Sequence, residues 1–520
     1  MKFVSDPPIS KKIDRMKRRV RWQEKSIAQH SIDQTRLEID DSNSDTPEFS
    51  FLVLGDTGSG THPDHHPQRK IAELMLPHLD SCRFVLHTGD VIYQVGSSEY
   101  YPKNFIEPYR ELIVGGESPQ GIKYDRMVFR LPFLPVPGNH DYYELPLVYG
   151  FLAQVSWPLR HLFKTKLDLG VGWHGSGVGE AYAKAFLDCL KDLRRTELEK
   201  HLEQHYAAKT DTGRCLRYEP GHFTRLPNRY YTFRYGGIDF FALDSNTFNS
   251  PEAIPDTQEG NAKRQNLLKR QKTLEEVQNK LMQKLAQLDA NKPEEAEQID
   301  DCQGKLNQIE EAQLDIEKQL EASPIHRIDY EQLDWFQVRL VASWHNPEVR
   351  GRVVFFHHPP YVTEQTKWDQ SQTLEIRDRL RGVFNTVRAE VKDIAQERPV
   401  VDLVLSGHAH CLEHLSTVDT GHADSYINWL VCGGSGHSLR RQRPEGDVLT
   451  ETHEAEEERK VARSHLFVGR NGHGANKRRP YSCLRIDVLS GTPPKFVVRP
   501  IVAERYQRQW IDQELYSFTI

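Results

Sequence analysis

Long apolar runs are missing from this chain of 520 residues. No stretch approaches the roughly 18 consecutive apolar residues that a membrane-spanning helix requires. The N-terminal segment also lacks an apolar stretch followed by small residues, which is the pattern of a secretory signal. We therefore expect a cytoplasmic protein that makes no contact with a membrane.

Cysteine pairs are missing as well. The seven cysteines are scattered along the chain, their number is odd, and no two of them form a CxxC pair. This pattern suggests neither a disulfide framework nor a structural zinc site built from thiolates. We expect the cysteines to be ordinary reduced thiols.

Charge of one sign is also in short supply. The 68 basic and 74 acidic residues leave a net charge of only -6. Nothing at the level of the whole chain indicates binding to nucleic acid or to an anionic membrane, so a nucleic-acid partner is not expected. A negatively charged substrate would have to be held by a local site.

Hydrophobic residues make up only 38% of the chain, too little for a uniformly packed core of this length. We therefore expect one globular domain with charged extensions. Residues 1–48 are polar and charged and predict a loosely attached N-terminal arm. The domain itself is expected to span residues 49–520, with an insertion at residues 260–322.

The insertion is nearly all Glu, Lys, Gln, Leu and Ala at helical spacing. Leucines recur every seven residues from Leu267 to Leu288, and a second apolar seam follows the turn signal Asn291-Lys292-Pro293. This pattern predicts an antiparallel, coiled-coil-like helical hairpin. Two interpretations stay open: a self-satisfied pair that projects from the domain, or an arm that binds a protein partner or a second copy of the chain.

Short apolar runs rich in Val, Leu and Phe indicate buried strands. Five of them are FSFLVLG, CRFVLHTG, LPFLPVPG, GRVVFFH and VDLVLSG. Helical patterns separate the runs, which predicts an α/β fold. Two β-hairpins are also expected, at residues 229–243 and 483–501.

Each of the five runs is followed directly by polar residues of the kinds that bind metals. The segments are Gly55-Asp56-Thr57-Gly58, Gly89-Asp90-Val91-Ile92-Tyr93, Gly138-Asn139-His140-Asp141, His357-His358-Pro359 and Gly407-His408-Ala409-His410. The carboxyl ends of the strands are where an open α/β sheet places its ligand crevice. Carboxylate, amide and imidazole ligands together suit divalent or trivalent ions, and the absence of thiolates argues against a soft metal. These segments offer more ligands than one ion can bind. We therefore expect two ions bridged by a carboxylate.

The order of these motifs resembles the purple acid phosphatase branch of the calcineurin-like metallophosphoesterases. The match spans most of residues 49–440, and the segments 227–233, 240–246 and 332–336 are similar to segments of that family. Most calcineurin-like enzymes have D-x-H as the first motif, whereas here Gly58 replaces the histidine and Tyr93 follows Asp90 by three residues. The resemblance implies a sandwich of two mixed β-sheets flanked by helices.

The resemblance also implies which residue binds which ion. The first ion would be held by Asp56, Asp90, Tyr93 and His410, and the second by Asp90, Asn139, His357 and His408. A tyrosine becomes a phenolate ligand at neutral pH only beside a strongly acidic cation, which favours ferric iron in the first site. The second site would take a divalent ion, namely iron, zinc or manganese.

Other residues of the motifs are candidates for handling a phosphate ester substrate. His140 would bind the phosphate and protonate the leaving oxygen, with a purely structural histidine as the alternative. Asp141 would orient His140, while Asn139 and His358 would line the substrate site. For His358 the alternative is a side chain that strand alternation turns away from the site. The nearby basic cluster at residues 440–443 could steer a phosphate, although a solvated surface loop is the preferred interpretation.

Three functions follow from this set. The leading prediction is a phosphomonoesterase similar to acid phosphatases, in which the two ions lower the pKa of a water to give a hydroxide that attacks phosphorus. The first alternative is a phosphodiesterase that acts on a cyclic nucleotide or a nucleic-acid end, because the same chemistry cleaves both kinds of ester. The second alternative is a scaffold in which the hairpin binds a partner and the metal site is vestigial.

Overall fold

The computed structural model describes most of the chain. The described residues are 4–41, 46–60, 62, 65–145, 174–289, 292–323, 328–452, 458–473 and 476–520. Within these ranges the α-helices are α1 (Ile9–Arg19), α2 (Lys25–Ala28), α3 (Pro67–Met75), α4 (Glu180–Phe186), α5 (Arg195–His205), α6 (Gln258–Leu285), α7 (Pro293–Glu321), α8 (Tyr330–His345) and α9 (Ser371–Ala395). Shorter helical turns lie mainly between Leu76 and Arg126.

The β-strands are short in the first half of the chain and longer near its C-terminal end. They are β1 (Ile32–Ile39), β2 (Phe49–Leu54), β3 (Val85–His87), β4 (Phe133–Pro135), β5 (Ala208–Thr210), β6 (Gly213–Tyr218), β7 (Tyr231–Tyr235), β8 (Ile238–Ala242), β9 (Gly351–Phe355), β10 (Leu403–Ser406), β11 (Leu412–Thr417), β12 (Asn428–Cys432), β13 (Val448–Thr452), β14 (Glu458–Val468), β15 (Arg478–Val488), β16 (Phe496–Tyr506), β17 (Gln509–Glu514) and β18 (Phe518–Thr519).

These strands form two mixed sheets. The larger sheet has the order β13-β14-β11-β12-β10-β9-β8-β7-β1-β6-β5, and the smaller has the order β17-β16-β15-β2-β3-β4, with β18 paired to β16. Strands β8, β9, β10 and β12 run parallel in the first sheet, as do β2, β3 and β4 in the second. The predicted fold class, two mixed β-sheets flanked by helices with an inserted helical hairpin, is confirmed.

Aromatic side chains join the two sheets face to face. Phe51 of the smaller sheet packs edge-on against Phe240 of the larger at 5.6 Å between ring centroids, and Phe84 packs against Phe233 at 5.5 Å. The opposite face of the larger sheet is covered by α8 and α9. Its central strands are therefore buried on both faces, which is why they appear in the sequence as continuous apolar runs rather than as alternating ones.

The predicted strands and hairpins are confirmed. Each of the five apolar runs contains one strand, namely β2, β3, β4, β9 and β10. The two expected β-hairpins are the antiparallel pairs β7–β8 and β15–β16. The inserted hairpin is formed by α6 and α7, close to the predicted bounds.

The prediction of a loosely attached N-terminal arm is wrong. Strand β1 lies inside the larger sheet, between β6 and β7, and pairs with both in parallel. Met16 and Val20 of the preceding segment are buried in the core. The polar residues of β1 are satisfied by the domain: Thr35 accepts a hydrogen bond from the Trp335 indole at 2.8 Å, for example. Its low apolar content therefore reflects polar partners and not exposure.

Of the two interpretations of the inserted hairpin, the pair that projects from the domain is wrong. Helix α7 packs against the domain through a row of acidic residues that face basic ones. Asp300 lies 2.8 Å from Arg479, and Asp301 lies 2.6 Å from Arg470. The helical pattern shows acidic residues along α7 but not the distant basic residues that pair with them. The packing of α7 against the domain therefore could not be predicted from that pattern alone.

The described residues also bear on membrane-spanning helices and on the cysteines. No helix there combines the length and the apolar character needed to cross a membrane. All seven cysteines are free thiols, and six of them are buried.

Candidate metal centre

The carboxyl ends of five strands bring the predicted ligands together. They belong to β2, β3 and β4 of the smaller sheet and to β9 and β10 of the larger, and the residues that follow them meet: Asp90 after β3 lies 3.3 Å from His357 after β9. Each of the seven predicted ligands follows one of these ends, and each is no more than 4% exposed. The centre therefore lies where the carboxyl edges of the two sheets meet.

Three of the predicted ligands have strained backbones. Asp56, Asp90 and His408 have φ angles of 56°, 55° and 63°, in the left-handed region that side chains other than glycine rarely adopt. Each such residue costs on the order of 1–3 kcal/mol and persists where the surroundings enforce it, most often at functional sites. The strain turns each chain sharply at the strand end, so that the side chain is aimed at the centre.

Gly58 has a steric reason to be glycine. A Cβ at this position would lie only 1.9 Å from the carbonyl oxygen of Val91. The close approach lets the Gly58 carbonyl accept a hydrogen bond from the Tyr93 amide at 3.0 Å. The absence of a side chain at Gly58 and the placement of Tyr93 are therefore two results of one contact.

The first group of donor atoms, which we call the tyrosine half, consists of Asp56, Tyr93 and His410. The Tyr93 hydroxyl lies 2.7 Å from Asp56 Oδ1 and 3.2 Å from His410 Nε2. It also lies 2.7 Å from Asp90 Oδ2, which reaches toward both halves. Donor atoms that bind one ion at about 2.0–2.2 Å lie about 3 Å from one another, so these spacings suit a shared ion.

His410 is held in the tautomer that a ligand needs. Its Nδ1 lies 3.1 Å from the carbonyl oxygen of Ser438, to which it donates, so Nε2 carries the lone pair and faces Asp56 at 3.5 Å. The His437 ring packs on the other side, with its centroid 4.1 Å from that of Tyr93. A backbone carbonyl that fixes the tautomer is the usual support of a histidine ligand.

The second group, which we call the histidine half, consists of Asn139, His357 and His408. His357 Nδ1 donates to the Thr88 carbonyl at 2.8 Å, which turns its Nε2 toward Asn139 Oδ1 at 2.9 Å and Asp90 Oδ2 at 3.3 Å. Because Nε2 and both oxygens are acceptors, only a proton or a metal cation placed among them satisfies all three. The neighbouring Asn139 Nδ2 is buried and has no hydrogen-bond partner among the described residues.

His408 is engaged differently from the other candidate ligands. Its Nε2 accepts hydrogen bonds from Lys367 Nζ at 3.0 Å and from the Gln372 amide at 2.9 Å. The lone pair that would bind a metal is therefore occupied by protein donors. For His408 to bind an ion through Nε2, Lys367 and Gln372 have to move.

The electrostatics of the centre call for positive charge. Burial, reinforced by Asp90 and only partly offset by His357, raises the pKa of Asp56 to about 8. Burial together with Asp56 and Asp90 raises the pKa of Tyr93 well above its ordinary value. Although burial alone would lower it, Asp90 raises the pKa of His357 to about 9. These raised pKa values favour the protonated forms of Asp56, Tyr93 and His357. A cation bound among these groups would relieve the same repulsion between the buried negative charges.

Two groups of acidic and histidine side chains have the spacing of metal sites. In the described residues, the ligand atoms of Asp56, Asp90 and His357 lie within 4.8 Å of one another, and so do those of His357, His358 and His408. Carboxylate, imidazole, amide and phenol donors make up the whole set. This chemistry fits two hard-to-borderline ions, and neither group includes a cysteine.

His140 lies at the edge of the centre, as the sequence predicted. Its ring packs on Tyr93 with centroids 4.2 Å apart, and its Nδ1 donates to the Gln94 carbonyl at 2.5 Å. Burial lowers the pKa of His140 despite the attraction of Asp90, so the ring is neutral and its Nε2 is an acceptor. Nε2 is the atom that can meet a substrate.

The predicted role of Asp141 in orienting His140 is wrong, because the Gln94 carbonyl holds that ring. The Asp141 carboxylate instead accepts hydrogen bonds from the backbone amides of Gly138 at 2.9 Å, Val91 at 3.2 Å and Ile92 at 3.3 Å. Asp141 therefore ties together the two loops that carry Asp90 and Asn139. It supports the centre without facing it.

His358, predicted to line the substrate site, has both ring nitrogens directed at Ser245 and Asn249. Its Nδ1 lies 2.8 Å from Ser245 Oγ, and its Nε2 accepts from the Asn249 amide at 3.4 Å. The ring still packs beside His408, with centroids 4.5 Å apart. His358 is thus a wall of the histidine half with both nitrogens engaged.

Several residues of the site did not follow from the sequence. His437 could have been found, because it follows β12 after a glycine-rich turn, the same signal that marked the other strands. Arg440 was expected in a solvated loop but is buried, only 2% exposed, beside the centre. Lys367 and Glu311 carry no local signal, since packing alone brings them to His408.

Comparisons with known proteins do not assign a family. No protein-family model matches the chain, and no curated protein matches it. Among solved structures, it is similar to GAP50, the anchor in the inner membrane complex of Plasmodium, at 10% identity and a TM-score of 0.37 over 91% of this chain and 88% of that one. It is similar to purple acid phosphatase PPD1 from yellow lupin (Lupinus luteus) seeds at 12% identity and 0.42, over 92% of this chain and 54% of that one. It is similar to PhoD at 10% identity and 0.38, over 92% and 70%. At these values the functional conclusion rests on the centre itself.

Proposed function

We propose that the chain is a phosphoric ester hydrolase of the purple acid phosphatase type that uses two metal ions. The observation that supports this most directly is the meeting of the Tyr93 hydroxyl with Asp56, Asp90 and His410 within 3.2 Å. A buried phenol between two carboxylates is costly unless a strongly acidic cation takes the place of its proton. Ferric iron is the proposed occupant of the tyrosine half, and a divalent iron, zinc or manganese ion that of the histidine half.

The roles of the residues follow from their positions. Bound ions would supply Lewis acidity and an activated water for attack on phosphorus. Asp90 faces both halves and would hold both ions. Asn139 and His357 would complete the histidine half, and His140, once protonated, would donate from Nε2 to a phosphoryl oxygen. The leaving oxygen would receive its proton from His140 once that ring is protonated.

A monoester is the proposed substrate, in preference to a diester. The donor atoms of the centre are almost inaccessible, with His140 at 5% the most exposed of the residues predicted from the sequence to bind metal or substrate. An enclosed centre suits a small phosphoryl group with one ester arm better than one with two. The pocket walls decide between these ester classes, because the metal chemistry is common to both.

A scaffold role is the second candidate, and one observation favours it. The ammonium of Lys367 already satisfies His408 Nε2 at 3.0 Å, in a place where a metal would be expected. A chain that had given up catalysis could keep its fold with a lysine in that position. The hairpin of α6 and α7 would then serve to bind a partner.

A visible spectrum, metal analysis and turnover separate these candidates. The full-length protein loaded with iron is expected to be purple, because a tyrosinate-to-ferric charge-transfer band absorbs visible light, and to hydrolyse p-nitrophenyl phosphate faster than bis-p-nitrophenyl phosphate. Tyr93→Phe should abolish the colour. Tyr142→Phe is the matched control, because this buried phenol on the same loop as Asn139 bonds to Asp244 at 2.7 Å, away from the centre.

The outcomes are distinct. A colourless dimanganese protein that Tyr93→Phe leaves unchanged would refute the ferric assignment. Faster turnover of the diester would favour the phosphodiesterase. Bound metal without turnover of either ester would favour the scaffold.

A further inference from the structure

One carboxylate of the inserted hairpin reaches two buried cations beside the centre. Glu311 of α7 accepts from Lys367 Nζ at 2.5 Å through one oxygen and lies 3.4 Å from Arg440 Nη2 through the other. Lys367 is fully buried and Arg440 is 2% exposed. Both cations belong to the domain, so a charge on the insertion neutralises charges on the body of the protein.

The two cations flank the histidines that end β10. Lys367 Nζ lies 3.0 Å from His408 Nε2. The backbone amide of Arg440 donates to the carbonyl of His410 at 2.9 Å, and its guanidinium donates to the Gly304 carbonyl of α7 at 2.8 Å. The pair is therefore fixed to the centre on one side and covered by α7 on the other.

Other contacts hold α7 against residues beside the same centre. Asn307 donates to His437 Nε2 at 3.2 Å, and Gln94, which follows Tyr93, donates to Asn307 at 2.6 Å. The apolar side chain of Leu314 packs with Val95 and Tyr143. The donor atoms of the centre are hardly exposed, and α7 is part of what covers them.

Lysine and arginine are the residues that recognise phosphoryl oxygens, and a carboxylate offers them the same kind of delocalised negative oxygens. We propose that Lys367 and Arg440 form the phosphate-binding pair of the centre, and that Glu311 occupies the place of the substrate phosphoryl group. The hairpin is then an internal competitor that has to withdraw before a substrate binds. This proposal rests on the proposed function in taking a phosphate ester as the ligand.

The same arrangement accounts for the state of His408. While Glu311 holds Lys367 in place, the ammonium covers His408 Nε2. When a phosphate replaces Glu311, Lys367 binds the phosphate and no longer needs a partner on the hairpin. Glu364 is a second buried carboxylate that interacts with Lys367 and Arg440. It belongs to the domain and not to the hairpin.

Binding of inorganic phosphate to the full-length protein, measured by isothermal titration calorimetry with and without metal, tests this proposal. Glu311→Gln keeps the size of the side chain and removes its charge. It should bind phosphate about tenfold more tightly than the unaltered protein, the factor expected when the open state rises from roughly a tenth of the molecules to nearly all. Adding Lys367→Met to that variant should cancel the gain.

Asp301→Asn is the matched control. It removes another acidic anchor of α7, which binds Arg470 and Lys477 and faces neither Lys367 nor Arg440. Phosphate affinity should rise by clearly less than in Glu311→Gln, because Glu311 still competes for Lys367 and Arg440 in this variant. An equal gain from both substitutions would mean general loosening of the hairpin and would overturn the proposal, as would no gain from Glu311→Gln.

Hydrogen exchange on the unaltered protein gives a second measurement that needs no variant. Saturating phosphate should speed the exchange of backbone amides in residues 304–321 and leave those of α8 unchanged. Unchanged exchange in residues 304–321 would overturn the proposal even if Glu311→Gln failed to fold.

These readouts are independent of the proposed hydrolysis. Tighter phosphate binding by Glu311→Gln without metal uptake or turnover would uphold the competitor and refute the enzyme. Turnover with no effect of Glu311→Gln on phosphate binding would do the reverse.

Discussion

The tyrosine half and the histidine half of the centre are built from the same kind of strand-end loop, yet their donor atoms have different partners. In the tyrosine half, Asp56, Tyr93 and His410 face one another. In the histidine half, His408 faces Lys367 and Gln372. The donor atoms of the first half face one another directly, whereas in the second half His408 is covered by Lys367 and Gln372, which the hairpin contacts. A complete set of ligand residues therefore does not by itself give two equivalent sites.

The largest effect is expected where the two halves share a residue. Asp90→Ala removes the carboxylate that reaches both Tyr93 and His357, so both ions should be lost and hydrolysis should fall by roughly 10³-fold or more. Metal analysis of the dialysed variant and turnover of p-nitrophenyl phosphate measure this. Retention of two ions per chain would show that the halves are separate sites.

Substituting one histidine in each half should separate their contributions. His410→Ala should abolish the purple colour, whereas His408→Ala should keep the colour and lose only the divalent ion. Turnover should fall by roughly 10²-fold in either variant, because each loses one of the two ions that act together. Spectra and metal content of the two variants measured side by side give the result. Loss of colour in His408→Ala would contradict the division into halves.

The smallest effect concerns the hydrogen bond that competes for His408. Gln372→Met removes the amide that donates to His408 Nε2 and should strengthen binding of the divalent ion by about threefold to tenfold, the worth of one ordinary hydrogen bond. The ion of the tyrosine half is the internal control, since Gln372 does not contact it. Titration with a chelator, which should strip the histidine half first, measures both. An equal change in both halves would rule out a local cause.

Much of the centre could be predicted from the sequence because strand ends are local features. An apolar run followed by glycine and a ligand residue fixes where Asp56, Asp90 and His408 lie relative to a sheet edge, and the parallel strands then bring them together. The hydrogen-bond partner of a ring is not local, so nothing in the sequence distinguishes Gln94 from Asp141 as the support of His140.

The errors at the N-terminal segment and the hairpin have a common physical cause. Both segments are polar, and a polar composition is typical of segments that are exposed to solvent. Strand β1 and helix α7 are instead held by ion pairs and hydrogen bonds to distant residues, such as that between Asp300 and Arg479. Partners nearly two hundred positions apart leave no trace in composition or periodicity.

The left-handed backbones of Asp56, Asp90 and His408 have a consequence for folding. The chain accepts this strain, and the crowding of acidic oxygens that comes with it, before any ion is bound. An ion that binds only the folded protein returns part of that cost, so thermal stability becomes a function of free metal concentration, with a gain of about 2.7 kcal/mol at a hundredfold excess over the dissociation constant. Metal supply would then set how much of this protein survives in a cell as well as how fast it works.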